Sequence, residues 1–318
     1  MISLLDRETT TMGIDAYAST LAGNGTKILP GLCSTYWIRY ESFAIMRIPT
    51  FCTIAPSREE VEGALWTSRA VAASYLVPPG DGCPANAWLY VCRNHAYRLD
   101  DLSVAGRRDA RRAARSFQFR FLDWSAVLAQ GLTAFVDTRR RVGLSDGTPQ
   151  QFRRRMERFA SHPAHVAVGA FIDEVLAAFM TLAIVDDWVE IEGCFSADQH
   201  RSFCPNDGLA HFVLRHYLAE GQANTVSYGL SSVQDMHQGE GLHLYKQKVG
   251  FEAIPIHRAF VLHPLMRPFA NELMWQGVTL IRNLLPRNRL LKKTRGILAS
   301  VLEKNRQEET FTGEHPHG

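Results

Sequence analysis

The chain has 318 residues, 46% of them hydrophobic and 21% charged, with a net charge of +3. That length predicts about two units with a sizeable core, and the net charge is too small to mark a nucleic-acid binder by itself. The cysteines at 33, 52, 83, 92, 194 and 204 form no C-x-x-C pair, and no run approaches the ~18 apolar residues of a membrane span. Residues 1–13 carry Asp6 and Glu8 where a secretory leader would be apolar. The expectation is a cytoplasmic protein with reduced thiols.

Residues 1–31, rich in Thr, Ser and Gly, read as a loose lead-in. "TYWIRYESFAIMRIP" predicts one or two strands, and "SREEVEGALWTSRAVAASYLV" a helix with a Ser cap that ends before Pro78. "AWLYVC" is a short buried strand. From Asp100, "DDLSVAGRRDARRAARSFQFRFLDW" opens a helix that puts Arg108, Arg111, Arg112 and Arg115 on one face, and "FRFLD" follows as a strand. Helices from Trp124 to about Arg141 and from Pro149 to Ala160 come next. Three apolar runs separated by acidic turns, "HVAVGAF", "VLAAFMTLAIV" and "VEIEGCFS", predict an antiparallel meander. "PNDGLAHFVLRHYLAEG" is a helix that Asn206 or Asp207 can cap and Gly221 stops. "NTVSYGLSS" is a strand, "LHLYKQKVG" a short helix, and "FEAIPIHRAFVLHP" a last strand or strand pair. Beyond Pro264 the sequence is amphipathic and helical, then ends in a polar tail.

Four of these pieces in order carry a resemblance: the meander ending in "EIEGCFS", "PNDGL", "SYGLSS" and "LYKQKVGFEAI". From Val166 to His263 the chain resembles the GNAT acyltransferase superfamily, and within it the Fem-type branch of aminoacyl-tRNA-dependent transferases and related acyl-CoA enzymes. The Arg-rich helix looks like the one that opens the catalytic half of Fem-type relatives. The resemblance implies an α/β (α+β) fold with a GNAT-like, mixed, mainly antiparallel sheet flanked by helices. The expected organisation is an N-terminal half-domain over 1–96, the acyltransferase domain over 97–263, and a helical extension and tail over 264–318. The chain departs from the usual pyrophosphate loop, since Arg201 is followed by "SFCPNDG", with Cys204 where a glycine is expected.

Acyl transfer to an amine needs a donor site, a base for the amine proton and an acid for the leaving group. The N-terminus of the helix near Asn206 is suited to donor phosphates, which assigns Arg201, Asn206, Asp207, Gly208 and Leu209 to donor binding. The alternative is that Asn206 and Asp207 simply cap the helix. Glu190 and Glu192 alternate with apolar residues and point to one face of their strand. Either is a candidate base, with Glu192 preferred because it is nearer the strand end, against a merely solvated face. The resemblance makes Tyr245 the acid, against a core aromatic. Ser231 and Ser232, ending the preceding strand, are hydrogen-bond candidates or turn formers. The arginine face suits phosphates of CoA or of a tRNA end, or is simply solvated. No His or Cys spacing matches a metal site. The implied activity is an N-acyltransferase using acyl-CoA and a small-molecule or peptide amine. The alternatives are an aminoacyl-tRNA-dependent transferase, with tRNA as a partner, or a catalytically silent binding protein on the same fold. The segment 264–305, with Lys292, Lys293 and Arg295 among leucines, suits peripheral membrane contact, packing on the domain or a dimer contact.

Overall fold

The computed structural model describes residues 12–23, 26–39, 43–80, 83–144, 147–231, 240–284, 291, 294–299 and 301–302. The chain divides into two compact units. The first gathers the described residues of Met1–Thr20, Leu89–Leu230 and Gly239–Ile254; the second gathers those of Leu21–Trp88, Ser231–Gln238 and Pro255–Gly318.

The lead-in is more structured than its composition predicts. It forms helix α1 (Ile14–Gly23), which buries Ile14 and Ala18, and strand β1 (Ile28–Pro30). Strands β2 (Tyr36–Arg39) and β3 (Ala44–Ile48) pair antiparallel. Helix α2 (Arg58–Ser68) starts at Ser57, whose side chain accepts from the Glu60 N–H. It stops far earlier than expected, because Arg69 turns left-handed with φ 53° and the β-prone run behind it becomes strand β4 (Ala72–Val77). Strand β5 (Ala87–Cys92) follows.

The elements from residue 104 onward fall close to prediction. They are α3 (Val104–Ser116), β6 (Gln118–Leu122), α4 (Trp124–Gln130), α5 (Leu132–Arg141) and α6 (Pro149–Ala160). The expected single helix from Trp124 is two, broken at Gly131. A Cβ there would lie 2.7 Å from the Val127 carbonyl and 3.0 Å from the Phe179 ring. The meander is β7 (His165–Ile172), β8 (Val175–Val185) and β9 (Trp188–Ser196), antiparallel throughout. Helix α7 (Pro205–Leu214) continues through a π turn at Arg215–Ala219. Strand β10 (Thr225–Leu230), helix α8 (Glu240–Lys248), strand β11 (Glu252–Leu262) and helix α9 (Glu272–Leu284) complete the described elements.

In the first unit the strands run β5-β10-β9-β8-β7-β6, with β10 and β9 parallel and every other neighbour antiparallel. One face carries a core of Val127, Phe135, Phe152, Met156 and Phe159 from α4 to α6 against Phe171, Phe179 and Phe195. Helix α7 packs on the alternate residues and buries Leu209, Val213, Leu214 and Tyr217. Because β8 is covered on both faces, it reads as an unbroken apolar run rather than an alternation. In the second unit the strands run β1-β2-β3-β4-β11, with only β3 and β4 parallel. Trp37, Ile45, Val61 and Leu65 fill one core there, and Ala44, Leu262, Val278 and Ile297 another. The architecture is the mixed, mainly antiparallel, helix-flanked sheet of the GNAT type.

Candidate active site

The parallel neighbours β9 and β10 pair at three positions only, Thr225–Trp188, Val226–Val189 and Ser227–Glu190. Beyond the last pair both strands carry a bulge, β9 opposite Thr181–Leu182 and β10 between Ser227 and Leu230. Bulges bend strands and raise local twist, so the two separate into a V from Glu190 onward. Gly229 makes the β10 bulge feasible. Its φ is +69°, and a Cβ would stand 3.2 Å from Glu190 Oε1, so its place needs both the freedom and the small size of glycine.

Glu190 lies at the point where the strands part. The Trp188 indole N–H donates to its Oε2 at 3.2 Å. Burial raises its pKa to about 7, against hydrogen bonds from Trp188 and Ser227 and the charge of Lys246, while Glu192 adds to the rise. Lys246 of α8 is only 4% exposed. Its ammonium donates to the Tyr228 carbonyl at 2.7 Å and sits over the rings of Tyr90 at 4.0 Å and Tyr228 at 5.0 Å. Burial lowers its pKa to about 8 against the pull of Glu190. The Tyr90 hydroxyl in turn meets His243 Nδ1 at 3.0 Å. A carboxyl that titrates near neutrality thus stands with a desolvated amine at one opening in the sheet.

Tyr228 of β10 and Tyr245 of α8 supply hydroxyls. The Tyr245 oxygen is buried and, among the described residues, has no well-formed hydrogen bond. Its ring stands edge-on to Tyr228 with centroids 6.1 Å apart. Burial raises both phenols well above their ordinary range, and raises the neighbouring Cys194 thiol to about 12. Both phenols therefore remain protonated donors, and the thiol is inert as a nucleophile.

Glu192 is engaged elsewhere. Its Oε2 lies 3.0 Å from His165 Nε2, in a cluster where His165 stacks on Phe159 and meets His162 edge-on. Tyr17 of α1 touches the same histidines, and its phenol pKa is raised by burial first, then by Glu192 and Glu190. The two carboxylates therefore share a neighbourhood, as their alternation implies, but in different company.

The start of α7 is built differently from its sequence reading. The cap is Cys204, in the left-handed region at φ 59°, and the first helical residue is Pro205. Neither Asn206 nor Asp207 caps. Pro205 offers no N–H, and the N–H groups of Asp207 and Gly208 donate to the Cys204 carbonyl. Asp207 is buried and forms an ion pair with Lys248, which also holds Asp109 at 3.1 Å. Burial works against the charge of Asp109, but Arg108 and Lys248 outweigh it and its pKa falls. At Asp207 burial wins over Lys248 and the pKa rises. The Asn206 side-chain oxygen is buried without a partner among the described residues. Gly208 and Leu209 face the interior: a Cβ at Gly208 would lie 2.2 Å from Phe119 and 2.7 Å from Ala113. A pyrophosphate cradle of free N–H groups is therefore not what this turn presents.

Arg201 is exposed in the turn before α7. Ser231 belongs to the second unit and fixes strand register there, its hydroxyl accepting from the Trp88 N–H at 2.8 Å. Ser232 lies outside the described residues. Of the residues expected at the site, Glu190 stands where the strands part, and Tyr245 stands against Tyr228 of β10. Sequence reasoning missed Lys246, Tyr90, Tyr228 and the Lys248–Asp109–Asp207 group. The signal available for Tyr228 was its place just before Gly229; Lys246 reads as one more solvated helix lysine.

No protein-family model and no curated protein matches the chain. Among solved structures it is similar to the C-terminal DUF2156 domain of a putative lysylphosphatidylglycerol synthetase from Agrobacterium fabrum. That match has TM-score 0.52 and 14% identity, and covers 79% of this chain and 88% of the other. It is also similar to FemX, with TM-score 0.51, 10% identity, and coverage of 79% and 92%. At these identities the likeness is one of fold, and the fold is GNAT-like, as "EIEGCFS", "SYGLSS" and "LYKQKVGFEAI" imply. No group of His, Cys, Asp and Glu able to hold a metal occurs among the described residues, and no helix there is long and apolar enough to cross a membrane.

Proposed function

We propose that this chain transfers an acyl group to an amine at the V between β9 and β10. The observation that carries the reading is the position of Glu190, at the last parallel pair, with a carboxyl that titrates at about 7. A base is most useful when its pKa lies near the working pH. Glu190, rather than Glu192, takes the amine proton as nitrogen attacks the acyl carbonyl. A C–N bond forms, the bond from the carbonyl carbon to the donor's sulfur or oxygen breaks, and the leaving atom takes a proton from Tyr245 or Tyr228. Lys246, buried between two tyrosine rings, supplies positive charge to the oxyanion.

For the donor, the first turn of α7 favours an aminoacyl-tRNA over acyl-CoA. Pro205 and the carboxylate of Asp207 occupy the place where a pyrophosphate would need N–H donors, so no step is routed through CoA. The exposed arginines of α3 suit RNA phosphates instead, and the neighbour titled a putative lysylphosphatidylglycerol synthetase is in keeping with an aminoacyl group. The acceptor is an amine of a small molecule or peptide. The test is calorimetric titration of nucleic-acid-free protein with CoA, acetyl-CoA and a long-chain acyl-CoA, and separately with a stable amide-linked aminoacyl minihelix RNA. Saturable binding of the RNA alone supports this donor. Saturable binding of an acyl-CoA overturns it, and binding of neither favours a silent fold.

A further inference from the structure

We propose that Phe203, together with Arg112, Arg115 and Arg201, forms a platform on which an unpaired base of an RNA strand stacks while the strand's phosphates meet the guanidiniums. Phe203 ends the 3-10 turn Asp198–Phe203, which packs on α3 just ahead of α7. Its ring stands nearly perpendicular to that of Phe117, at the end of α3, with centroids 6.3 Å apart. Phe117 meets His200 of the same turn in the same way, also at 6.3 Å. Phe117 is buried, whereas Phe203 is 37% exposed. The ring is thus braced by a buried partner and still open to solvent. A lone exposed phenylalanine needs no explanation, but this one stands among cations.

Those cations are the unengaged ones. On α3, Arg108 is held by Asp109 and Arg111 by Asp100, and in the turn Asp198 is held by Arg141. The side chains of Arg112, Arg115 and Arg201 are exposed and form no ion pair among the described residues. Arg201 lies in the same turn as Phe203, and Arg115 precedes the bracing Phe117 by two residues. Arg112 is close as well. Burial first, then Asp109 and Asp207, raise the thiol of Cys204, the residue after Phe203, while Lys248 and Arg112 pull it down.

Charge and shape together select the partner. Arginine forks suit phosphates, and every base offers a π-face to an aromatic ring, so a surface that joins the two holds single strands with little regard to sequence. An acidic protein would supply the charge without the base. The surface lies wholly within the first unit. Its assignment deepens the aminoacyl-tRNA reading and rests on it for the choice of RNA.

The experiment is fluorescence anisotropy of the full chain with a labelled RNA of about ten unpaired uridines, over a salt series. Phe203→Ala should weaken binding about tenfold, and so should Phe203→Leu, which keeps apolar bulk against Phe117. Neither should alter the salt dependence, because the ring carries no charge. Phe203→Trp should bind as the parent does. A strand with the same phosphates but no bases should bind the parent about tenfold more weakly than the RNA, and should bind Phe203→Leu equally. Arg112→Glu with Arg201→Glu should instead flatten the salt dependence. Parent affinity in Phe203→Leu overturns the platform, and so does an abasic strand that binds as tightly as the RNA, the mark of a surface for acidic partners. An aminoacyl minihelix that binds parent and Phe203→Leu alike overturns the platform and leaves the donor reading standing. Saturable binding of an acyl-CoA, beside RNA binding that needs Phe203, overturns the donor reading alone. No binding of any RNA overturns both.

Discussion

Glu190→Gln separates chemistry from stability at a single residue. As the proposed base it should reduce turnover by roughly 10²–10⁴-fold, the span usual for a positioned general base. In the parent protein transfer should rise with pH through about 7, as the carboxyl ionises, and the variant should lack that limb. The stability effect has the opposite sign. The folded carboxyl keeps its proton up to about 7, while the unfolded one loses it near 4.5. Its contribution is therefore complete below 4.5 and is lost as pH rises to about 7. Denaturant melts at pH 5 and pH 8 should show a smaller drop for Glu190→Gln than for the parent. Tyr245→Phe makes a similar split. Removing a buried hydroxyl that lacks a good partner should leave stability unchanged or raise it by about 1 kcal/mol, while slowing transfer if the phenol protonates the leaving group. Full turnover in both variants, with chemistry limiting, would sink the assignment. At this scale the sequence made Glu190 legible through alternation on its strand, but Lys246 was hidden. Nothing local distinguishes a lysine aimed between two rings from one in water, because Tyr90 reaches it only through the fold.

Elements were legible where a local rule decides them. Helix α6 begins at Thr148 with Gln151 closing a capping box and Pro149 in the first turn, and it lies where its sequence puts it. The start of α7 was misread because Cys204 is a poor cap by propensity. It adopts φ 59°, and the helix it opens packs on α3. That packing is tight. Helix α3 approaches α7 so closely that Gly208→Ala should cost about 1–3 kcal/mol by crowding Ala113 and Phe119. A denaturant midpoint equal to that of the parent protein would show that the interface has slack. Lys248 ties α8 to both helices through Asp109 and Asp207. Lys248→Met leaves two largely buried carboxylates facing one another, and breaking such a pair costs about 3 kcal/mol or more. The loss should shrink at low pH, where Asp207, its pKa already raised by burial, takes up a proton. A loss that stays constant from pH 4 to pH 8 would mean that the lysine acts through packing alone.

For the whole molecule, periodicity reveals most strands, though not β1 or β4, and it reveals no strand's neighbour. The pairing of β10 with β5 on one side and β9 on the other joins stretches remote in sequence, and no local pattern encodes it. The resemblance supplied the type of sheet, mixed and mainly antiparallel, through a handful of residues at strand ends and turns, while the pairing itself is read from the structure. The distribution of charge is a further property of the entire chain that its total conceals. A net charge of +3 looks indifferent to nucleic acid, yet α3 holds Arg108, Arg111, Arg112 and Arg115 on one exposed face. Two of them are engaged, Arg108 with Asp109 and Arg111 with Asp100; Arg112 and Arg115 form no ion pair among the described residues. If this face grips an RNA acceptor end through all four, the logarithm of affinity should fall with the logarithm of salt at a slope of about −3. Arg112→Glu with Arg115→Glu should cut that slope to about half or less, and should leave the melting transition in place because both side chains are exposed. Fluorescence anisotropy of a labelled minihelix over a salt series measures both quantities. A slope near −3 that the double variant leaves unchanged would place the RNA elsewhere on the protein, and α3 would then be a solvated face whose arginines keep the helix in water.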